Sequence, residues 1–162
     1  MVKSSQPRCA FTTGKIEILS DGTPWRPVVH IRDVCNALIS GLKAPEEIVN
    51  GKSFNVGLMN GNYTVKQLAE TASRAVKGSE LVFLNKHTDP RTYKVSFAKI
   101  FNVLGEYYKP KWNLDNGAKE LIEYFKKIKF NEKDFKSKKC IRLKQLTHLI
   151  DNKLVTKDLK WI

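Results

Sequence analysis

The residue types that most often carry out chemistry in proteins are sparse in this sequence. It has three histidines and three cysteines, and none stands at the C-x-x-C or H-x-x-x-H spacing that is typical of metal sites. No G-x-S-x-G or other nucleophile context occurs. No G-x-G-x-x-G or G-x-x-G-x-x-G follows a first strand, so these residues include no glycine cradle for a dinucleotide pyrophosphate. We therefore expect no metal site, no catalytic residue and no cofactor-binding residue.

Two arginines stand in contexts that suit the binding of an anion. Arg26 follows a Gly/Pro turn and begins an apolar segment, so rigid backbone fixes its position, and Arg91 follows Pro90 in a polar loop. A guanidinium group donates bidentate, permanently charged hydrogen bonds, which match phosphate oxygens. The alternative for each arginine is a surface or structural ion pair, and the residue types alone leave both readings open.

Short strands and helices alternate along the chain, and they must position these arginines. Apolar runs bounded by turn residues predict strands at residues 15–19, 28–31, 53–57 and 79–84. Helically spaced apolar residues predict helices that begin behind the caps Asp33, Thr64 and Ser96, at residues 115–128 and in the tail from Ile141.

This order of elements predicts an α/β fold with an unusual organisation. We divide the chain into an irregular N-terminal lead-in (1–14), an α/β portion (15–130), and a basic linker with a C-terminal helix (131–162). The strands are too few and too short to form a well-covered parallel sheet. We expect a partial α/β domain.

The composition is that of a globular chain with a strong positive charge. Hydrophobic residues make up 41% and aromatic residues 10%, and no run approaches the roughly 18 apolar residues of a membrane span. The net charge of +13 attracts phosphate-bearing partners. The Lys-rich stretch near residues 126–139 is more typical of a solvated helical face than of a nucleic-acid stripe. With no secretory signal and an odd number of cysteines, we expect a cytoplasmic protein without a membrane partner.

Three ordered segments resemble one enzyme family. They are DGTPWRPVVHIRDV (21–34), KSFNVG with TVKQLAE behind it (52–70), and DPRTYKVSFAKIFNVLG (89–105). Together they closely resemble the extended short-chain dehydrogenase/reductases that act as NAD-dependent nucleotide-sugar epimerases and dehydratases. The tail (140–162) also looks like that of one bacterial branch, so the resemblance covers most of residues 10–162.

The resemblance implies a substrate and the residues that bind it. Such enzymes oxidise the sugar of a nucleoside diphosphate sugar at C4 with bound NAD, then epimerise, dehydrate or reduce it. Arg26 and Arg91 are implied to hold the pyrophosphate, and Ile18 and Leu19 to lie beside the base, although plain core packing remains an equal alternative for these two. The supporting residues are Asp89, which would orient Arg91; Asp33, a helix cap that would also hold Arg32 or Arg26; and Asn55, a turn former. His30 alternates with apolar neighbours, which is more typical of a satisfied core or cleft histidine than of a catalytic one.

The sequence departs from the family in its chemistry. The family's catalytic Tyr-x-x-x-Lys normally lies upstream of the segments found here. Tyr107 and Lys111 match those letters, but Pro110 intervenes and the stretch is predicted to be a loop. We therefore expect the C-terminal substrate-binding portion of such an enzyme, with the Rossmann nucleotide-binding half absent, no activity alone, and NAD required only in the intact family.

Two other interpretations remain open. In the first, the chain would be a basic phosphate- or nucleic-acid-binding protein. This hypothesis rests on the net charge, and it is not favoured because basic and aromatic residues do not interleave. Alternatively, it is a non-catalytic interaction subunit of a split epimerase, whose partner would be a separate Rossmann-containing chain.

Overall fold

The computed structural model describes residues 6–85 and 91–162, which form a mixed α/β fold, as predicted. The strands are β1 (Lys15–Ile18), β2 (Trp25–Pro27), β3 (Asn62–Thr64) and β4 (Glu80–Phe83). The helices are α1 (Gln6–Thr13), α2 (Ile31–Lys43), α3 (Glu46–Val49), α4 (Val65–Ala75), α5 (Ala98–Leu104), α6 (Leu114–Lys127), α7 (Glu132–Lys136) and α8 (Arg142–Asp151).

The strands pair in two small sheets. β1 and β4 run parallel, and the backbone N–H of Leu84 extends the ladder by donating to the carbonyl of Ile18 at 2.8 Å. β2 and β3 run antiparallel, with Arg26 opposite Tyr63. A two-stranded sheet has little stability of its own, so both pairs depend on the helices that pack against them.

The first of two hydrophobic cores joins α1 and α4 to β1 and β4. Helix α4 starts with a capping box, in which Thr64 accepts from the backbone N–H of Gln67 and the Gln67 side chain accepts from the N–H of Thr64. This fixed start turns one face of the helix onto the sheet. The buried core residues are Ala10, Ile16, Ile18, Val65, Ala69 and Ala72.

The second core joins α2 and α5 to the segments that follow them. Its centre is Tyr108, which is fully buried and whose hydroxyl donates to the carbonyl of Gly57 at 3.1 Å. The Ser40 hydroxyl of α2 donates to the carbonyl of Tyr107 at 3.0 Å. Because these bonds join segments about fifty to seventy residues apart, they set how α2 lies against the rest of the domain. Phe54 also packs here.

Three predictions about element positions are wrong. The supposedly irregular lead-in contains helix α1. Residues 53–57 are not a strand, because within the described chain no other strand pairs with them; Phe54 and Val56 instead pack on the second core. The strand predicted at 28–31 lies earlier, as β2, and Ile31 already begins α2.

Two predicted helix caps also need correction. His30, not Asp33, caps α2, and its ring accepts from the backbone N–H of Arg32. Phe97 is the N-cap of α5, while the Ser96 hydroxyl only accepts from the N–H of Ala98 at 3.4 Å. The predicted strands at β1 and β4, the Thr64 cap, and helices α6 and α8 are confirmed, and α7 lies within the predicted linker.

We predict that Gly57→Ala destabilises the fold. A Cβ at position 57 would overlap the ring of Phe97, so the ring or the backbone must shift. We expect the free energy of unfolding to fall by about 1–3 kcal/mol, measured by urea denaturation. Gly41→Ala is the matched control: it lies inside α2 with no atom near the new Cβ, and should stabilise by about 0.5–1 kcal/mol. Equal effects of the two changes would contradict the packing argument.

Candidate functional site

A cleft of about 930 Å³ opens between the β2–β3 pair, the start of α2, and helices α4 and α6. Most of its lining is apolar or aromatic. Among the described lining residues, the charged groups are the two arginines Arg26 and Arg91 and the carboxylate of Glu120. The cleft therefore combines a mostly apolar lining with a few charged groups, which is typical of sites for small organic ligands.

Arg26 is held on β2 by the backbone around it. Its guanidinium donates to the carbonyl of Trp25 at 2.6 Å and to the carbonyl of Arg91. It also lies over the ring of Tyr93, 5.8 Å from the ring centroid. These contacts use part of the guanidinium's five donors and fix its plane, so its position at the cleft is set before any ligand arrives.

Side chains attach the segment that carries Arg91 to both strands of the β2–β3 pair. The backbone N–H of Trp25 donates to the hydroxyl of Thr92 at 3.0 Å, and the ammonium of Lys94 lies 3.7 Å from the Trp25 ring centroid. Asn62 on β3 exchanges two hydrogen bonds with the backbone of Val95, at 2.8 and 2.9 Å. Two arginines 65 residues apart thus reach one cleft.

The start of α2 forms a second wall with α6. His30 Nδ1 accepts from the N–H of Arg32 at 3.2 Å, so we assign the proton to Nε2, which donates to Glu120 at 2.8 Å. Arg32 binds the other oxygen of Glu120 at 2.7 Å. The His30 ring stacks on Trp112 with centroids 4.1 Å apart, and Arg32 also lies against this indole. Both ring nitrogens of His30 have hydrogen-bond partners, so it is a satisfied cleft histidine, as predicted from the sequence.

Asp33 ties this wall to the rest of the fold. Its carboxylate is 2% exposed and accepts the backbone N–H groups of Lys111 and Trp112, at 2.9 and 3.1 Å. It was predicted to cap α2 and to hold Arg32 or Arg26. Instead its oxygens are used by the backbone that leads into α6, and Arg32 pairs with Glu120.

The tyrosines with shifted pKa values are not phenolates at neutral pH. Burial, and to a smaller extent the charge of Asp33, raises the pKa of Tyr108 to about 12. Burial, followed by the charge of Asp115, raises the pKa of the cleft residue Tyr63. Neither hydroxyl is therefore set up to act as a general base.

Ile18, Leu19 and Asn55, also predicted from the sequence, do not line the cleft. Ile18 is buried in the first core, its carbonyl is used by Leu84, and the neighbouring Leu19 is about half exposed outside the cleft lining. The Asn55 amide donates to the carbonyl of Ser96 at 3.1 Å, which anchors residues 53–57. Asp89 lies outside the described residues.

The backbone groups of Tyr107 and Lys111 form hydrogen bonds that stabilise the fold. The carbonyl of Tyr107 accepts from Ser40, and the N–H of Lys111 donates to Asp33. Sequence reasoning missed Trp112, Glu120 and Tyr93 as cleft residues. Of these three, only Tyr93 could have been found from the sequence, because it is the last residue of the Asp-x-Arg-x-Tyr segment.

Neither a metal-ion cluster nor a membrane-spanning helix occurs in the described residues. Across residues 6–85 and 91–162, no group of three or more His, Cys, Asp or Glu side chains is placed to hold a metal ion. In the same residues, no helix is both long and apolar enough to cross a membrane.

Comparisons with known proteins agree with the resemblance. The model of the NAD dependent epimerase/dehydratase family matches residues 4–57. UDP-glucose 4-epimerase from Thermotoga maritima, solved with UDP-glucose, matches with a TM-score of 0.61 and 26% identity over 76% of this chain and 38% of that one.

Two further solved structures share the fold. UDP-glucuronic acid 4-epimerase from Bacillus cereus, in complex with UDP-glucuronic acid and NAD, has a TM-score of 0.56 and 20% identity, over 70% of this chain and 36% of that one. The dTDP-glucose 4,6-dehydratase from Bacillus anthracis, in complex with NAD, has a TM-score of 0.55 and 21% identity, over 75% of this chain and 37% of that one. The chain thus spans well under half the length of these enzymes.

We predict that Asp33→Asn loosens the cleft wall. The amide nitrogen would meet a backbone N–H where a carboxylate oxygen now accepts, and the loss of a buried, charge-assisted bond should lower the free energy of unfolding by about 1–3 kcal/mol. Asp115→Asn is the control, since that carboxylate forms an exposed pair with Arg74 and should cost less than about 1 kcal/mol. If urea denaturation gave equal losses of unfolding free energy for the two variants, the role of Asp33 in holding the wall together would be refuted.

Proposed function

The chain is related to the NAD-dependent epimerase/dehydratase family, and on that premise we propose that its cleft binds a nucleoside diphosphate sugar, with Arg26 and Arg91 on the diphosphate. The single observation that carries this proposal is the convergence of the two arginines at one end of the cleft. The solved relatives bind ligands of this class: one holds UDP-glucose and another UDP-glucuronic acid.

The charge at the cleft supports a doubly anionic ligand group. Glu120 is the only carboxylate among its described lining residues, and its two oxygens are already bound by His30 and Arg32. The diphosphate would meet the fork-shaped donors of Arg26 and Arg91, while Glu120 is held by groups of the opposite wall.

The rest of the cleft suits the uncharged parts of such a ligand. Tyr93 lies beside Arg26, and Tyr63 faces Arg26 across the β2–β3 pair. Flat aromatic rings offer stacking surface to a base or to the apolar face of a sugar. The base position first implied for Ile18 and Leu19 is less favoured, because neither lines the cleft.

Redox chemistry would need groups beyond those in these 162 residues. The sequence contains no glycine motif for a dinucleotide, and the pKa of Tyr63 is raised rather than lowered. We propose that this chain contributes substrate binding, while NAD binding and hydride transfer belong to a dinucleotide-binding polypeptide of the family. Calorimetry should detect no saturable NAD binding by this chain; micromolar affinity would refute the division of roles.

The test of substrate binding is the affinity for UDP-glucose, measured by calorimetry or by chemical shift changes. A charge-assisted contact contributes about 1.5–3 kcal/mol, so Arg91→Ala should weaken binding roughly ten- to a hundredfold. Arg26→Ala should do the same, and Arg26→Lys, which keeps the charge but loses the fork, should recover only part of the affinity.

Arg142→Ala is the matched control, because it removes the same charge from α8, outside the cleft. Its affinity for UDP-glucose should equal that of the unaltered chain. Two results would contradict the site assignment and favour general attraction of phosphate by the basic surface. One is chemical shift changes confined to the lysines of residues 126–139, and the other is an equal loss of affinity for UDP-glucose in all three Arg→Ala variants.

A second candidate function, as the interaction subunit of a split epimerase, is favoured by an apolar face on α2. Ile31, Leu38 and Leu42 share one side of the helix, at spacings of seven and four residues, and are 67%, 68% and 88% exposed. Beside them, residues 53–57 have no strand partner in the described chain. We propose that a dinucleotide-binding polypeptide packs here, in the same or a separate chain.

This second proposal is tested by identifying what covers the face. Cys35 is exposed on the same helix and can carry a photo-crosslinker. We expect crosslinking in the source cell to capture a polypeptide with a G-x-x-G-x-x-G sequence, and Leu38→Glu with Leu42→Glu to abolish the capture. Crosslinks only to copies of this chain, or to proteins without that motif, would overturn it.

A further inference from the structure

The end of the chain forms a small hairpin that combines exposed apolar side chains with lysines. Val155 pairs with Trp161 in an antiparallel bridge, and the N–H of Ile162 donates to the carbonyl of Leu154 at 3.1 Å. The N–H of Thr156 donates to the carbonyl of Lys160 at 2.7 Å and closes the turn. We call residues 154–162 the tail hairpin.

The tail hairpin exposes four large apolar side chains within nine residues. Trp161 and Ile162 are 76% and 80% exposed, and Leu154 and Leu159 are about half exposed, while only Val155 is buried. Leu159 also has a φ of +61°, a left-handed conformation that is costly for a leucine. An exposed Trp and three exposed aliphatic residues within nine positions concentrate apolar surface in this hairpin.

The same segment has a net positive charge, since residues 153–162 contain three lysines and one acidic residue, Asp158. Lys153, Lys157 and Lys160 belong to it or adjoin it, and within the described chain none of the three is in an ion pair. Residues 138–162 as a whole carry seven lysines and arginines against two aspartates. The surface therefore has both exposed hydrocarbon and a net positive charge.

We propose that the tail hairpin docks on an anionic lipid bilayer surface. Such a surface is complementary to the hairpin in both respects, because anionic headgroups face the lysines and the acyl boundary accepts the apolar side chains. Trp favours the interfacial region, and lysine stems let the ammonium groups stay at headgroup level. This docking is peripheral and involves no membrane-spanning segment, and it departs from the expectation, drawn from the sequence, that the chain has no membrane partner.

Other occupants match the hairpin less well. A nucleic acid would neutralise the lysines and could stack on Trp161, but it would leave Leu154, Leu159 and Ile162 without apolar partners. A second copy of this chain would bring like charges together. The bilayer is the partner that satisfies the whole set of side chains, and the proposal is independent of what the cleft binds.

The test is co-sedimentation of the full chain with vesicles of phosphatidylcholine alone or of phosphatidylcholine with phosphatidylserine. We expect binding only to the vesicles with phosphatidylserine, and weaker binding as salt rises from about 0.1 M to about 1 M, which shortens the Debye length from about 10 Å to about 3 Å. The fluorescence that Trp161→Ala removes should be blue-shifted in the bound state.

Variants separate insertion from simple attraction of charge. Trp161→Ala and Leu159→Ser should each weaken partitioning about tenfold, and Lys153, Lys157 and Lys160 together changed to Glu should weaken it about a hundredfold. The matched control changes Lys77, Lys109 and Lys119 to Glu, with the same change in net charge outside the hairpin, and should have a much smaller effect.

Several results would overturn the proposal. They are equal binding to neutral vesicles, equal losses in the two triple variants, and full partitioning of both Trp161→Ala and Leu159→Ser. An oligonucleotide that displaced the vesicles and bound both apolar variants as tightly as the unaltered chain would identify the surface as a nucleic-acid site instead. Circular dichroism of each variant checks that the fold is kept.

Discussion

The buried carboxylate of Asp33 is the interaction on which the candidate site depends. It accepts two backbone N–H groups from residues that lie 78 and 79 positions further along the chain, at a site where water does not reach it. A buried charge is tolerated only when it is hydrogen-bonded, so the two segments must stay together for the fold to be stable. Helix α2 and the entry to α6 consequently form one rigid wall.

That wall positions the polar cluster of His30, Arg32 and Glu120 on the cleft's second side. With α6 fixed, Glu120 reaches both His30 and Arg32, and the Trp112 indole packs beside the imidazole. Each member is satisfied by another, which makes the group rigid and leaves it little capacity for chemistry. The opposite side, with Arg26 and Arg91, carries the charge that a ligand would use. The cleft is therefore better organised for recognition than for proton transfer.

Short sequence motifs correctly predicted the features that depend only on neighbouring residues, and failed where distant residues decide the structure. The Thr64 and Gln67 capping box needs only four consecutive residues, and helix α4 begins there as predicted. Asp33 looks like a cap in the sequence, yet its partners are distant, and His30 takes the cap instead. Residues 53–57 have strand-forming side chains, but a strand exists only if another strand pairs with it. Ile18 was assigned to a ligand on resemblance, although the inward alternation of β1 buries it.

Nη1 of Arg26 donates to the backbone carbonyls of both Trp25 and Arg91. The bond to Arg91 joins one cationic side chain to the backbone that carries the other. The same bond limits where the backbone of Arg91 can lie, so the entropy of ordering that segment is lost on folding and not on binding. Preorganisation of this kind lowers the entropic cost of binding an anion at this side of the cleft. It is in keeping with the diphosphate that we propose as the ligand group, because part of the ordering that the ligand needs is complete once the chain has folded.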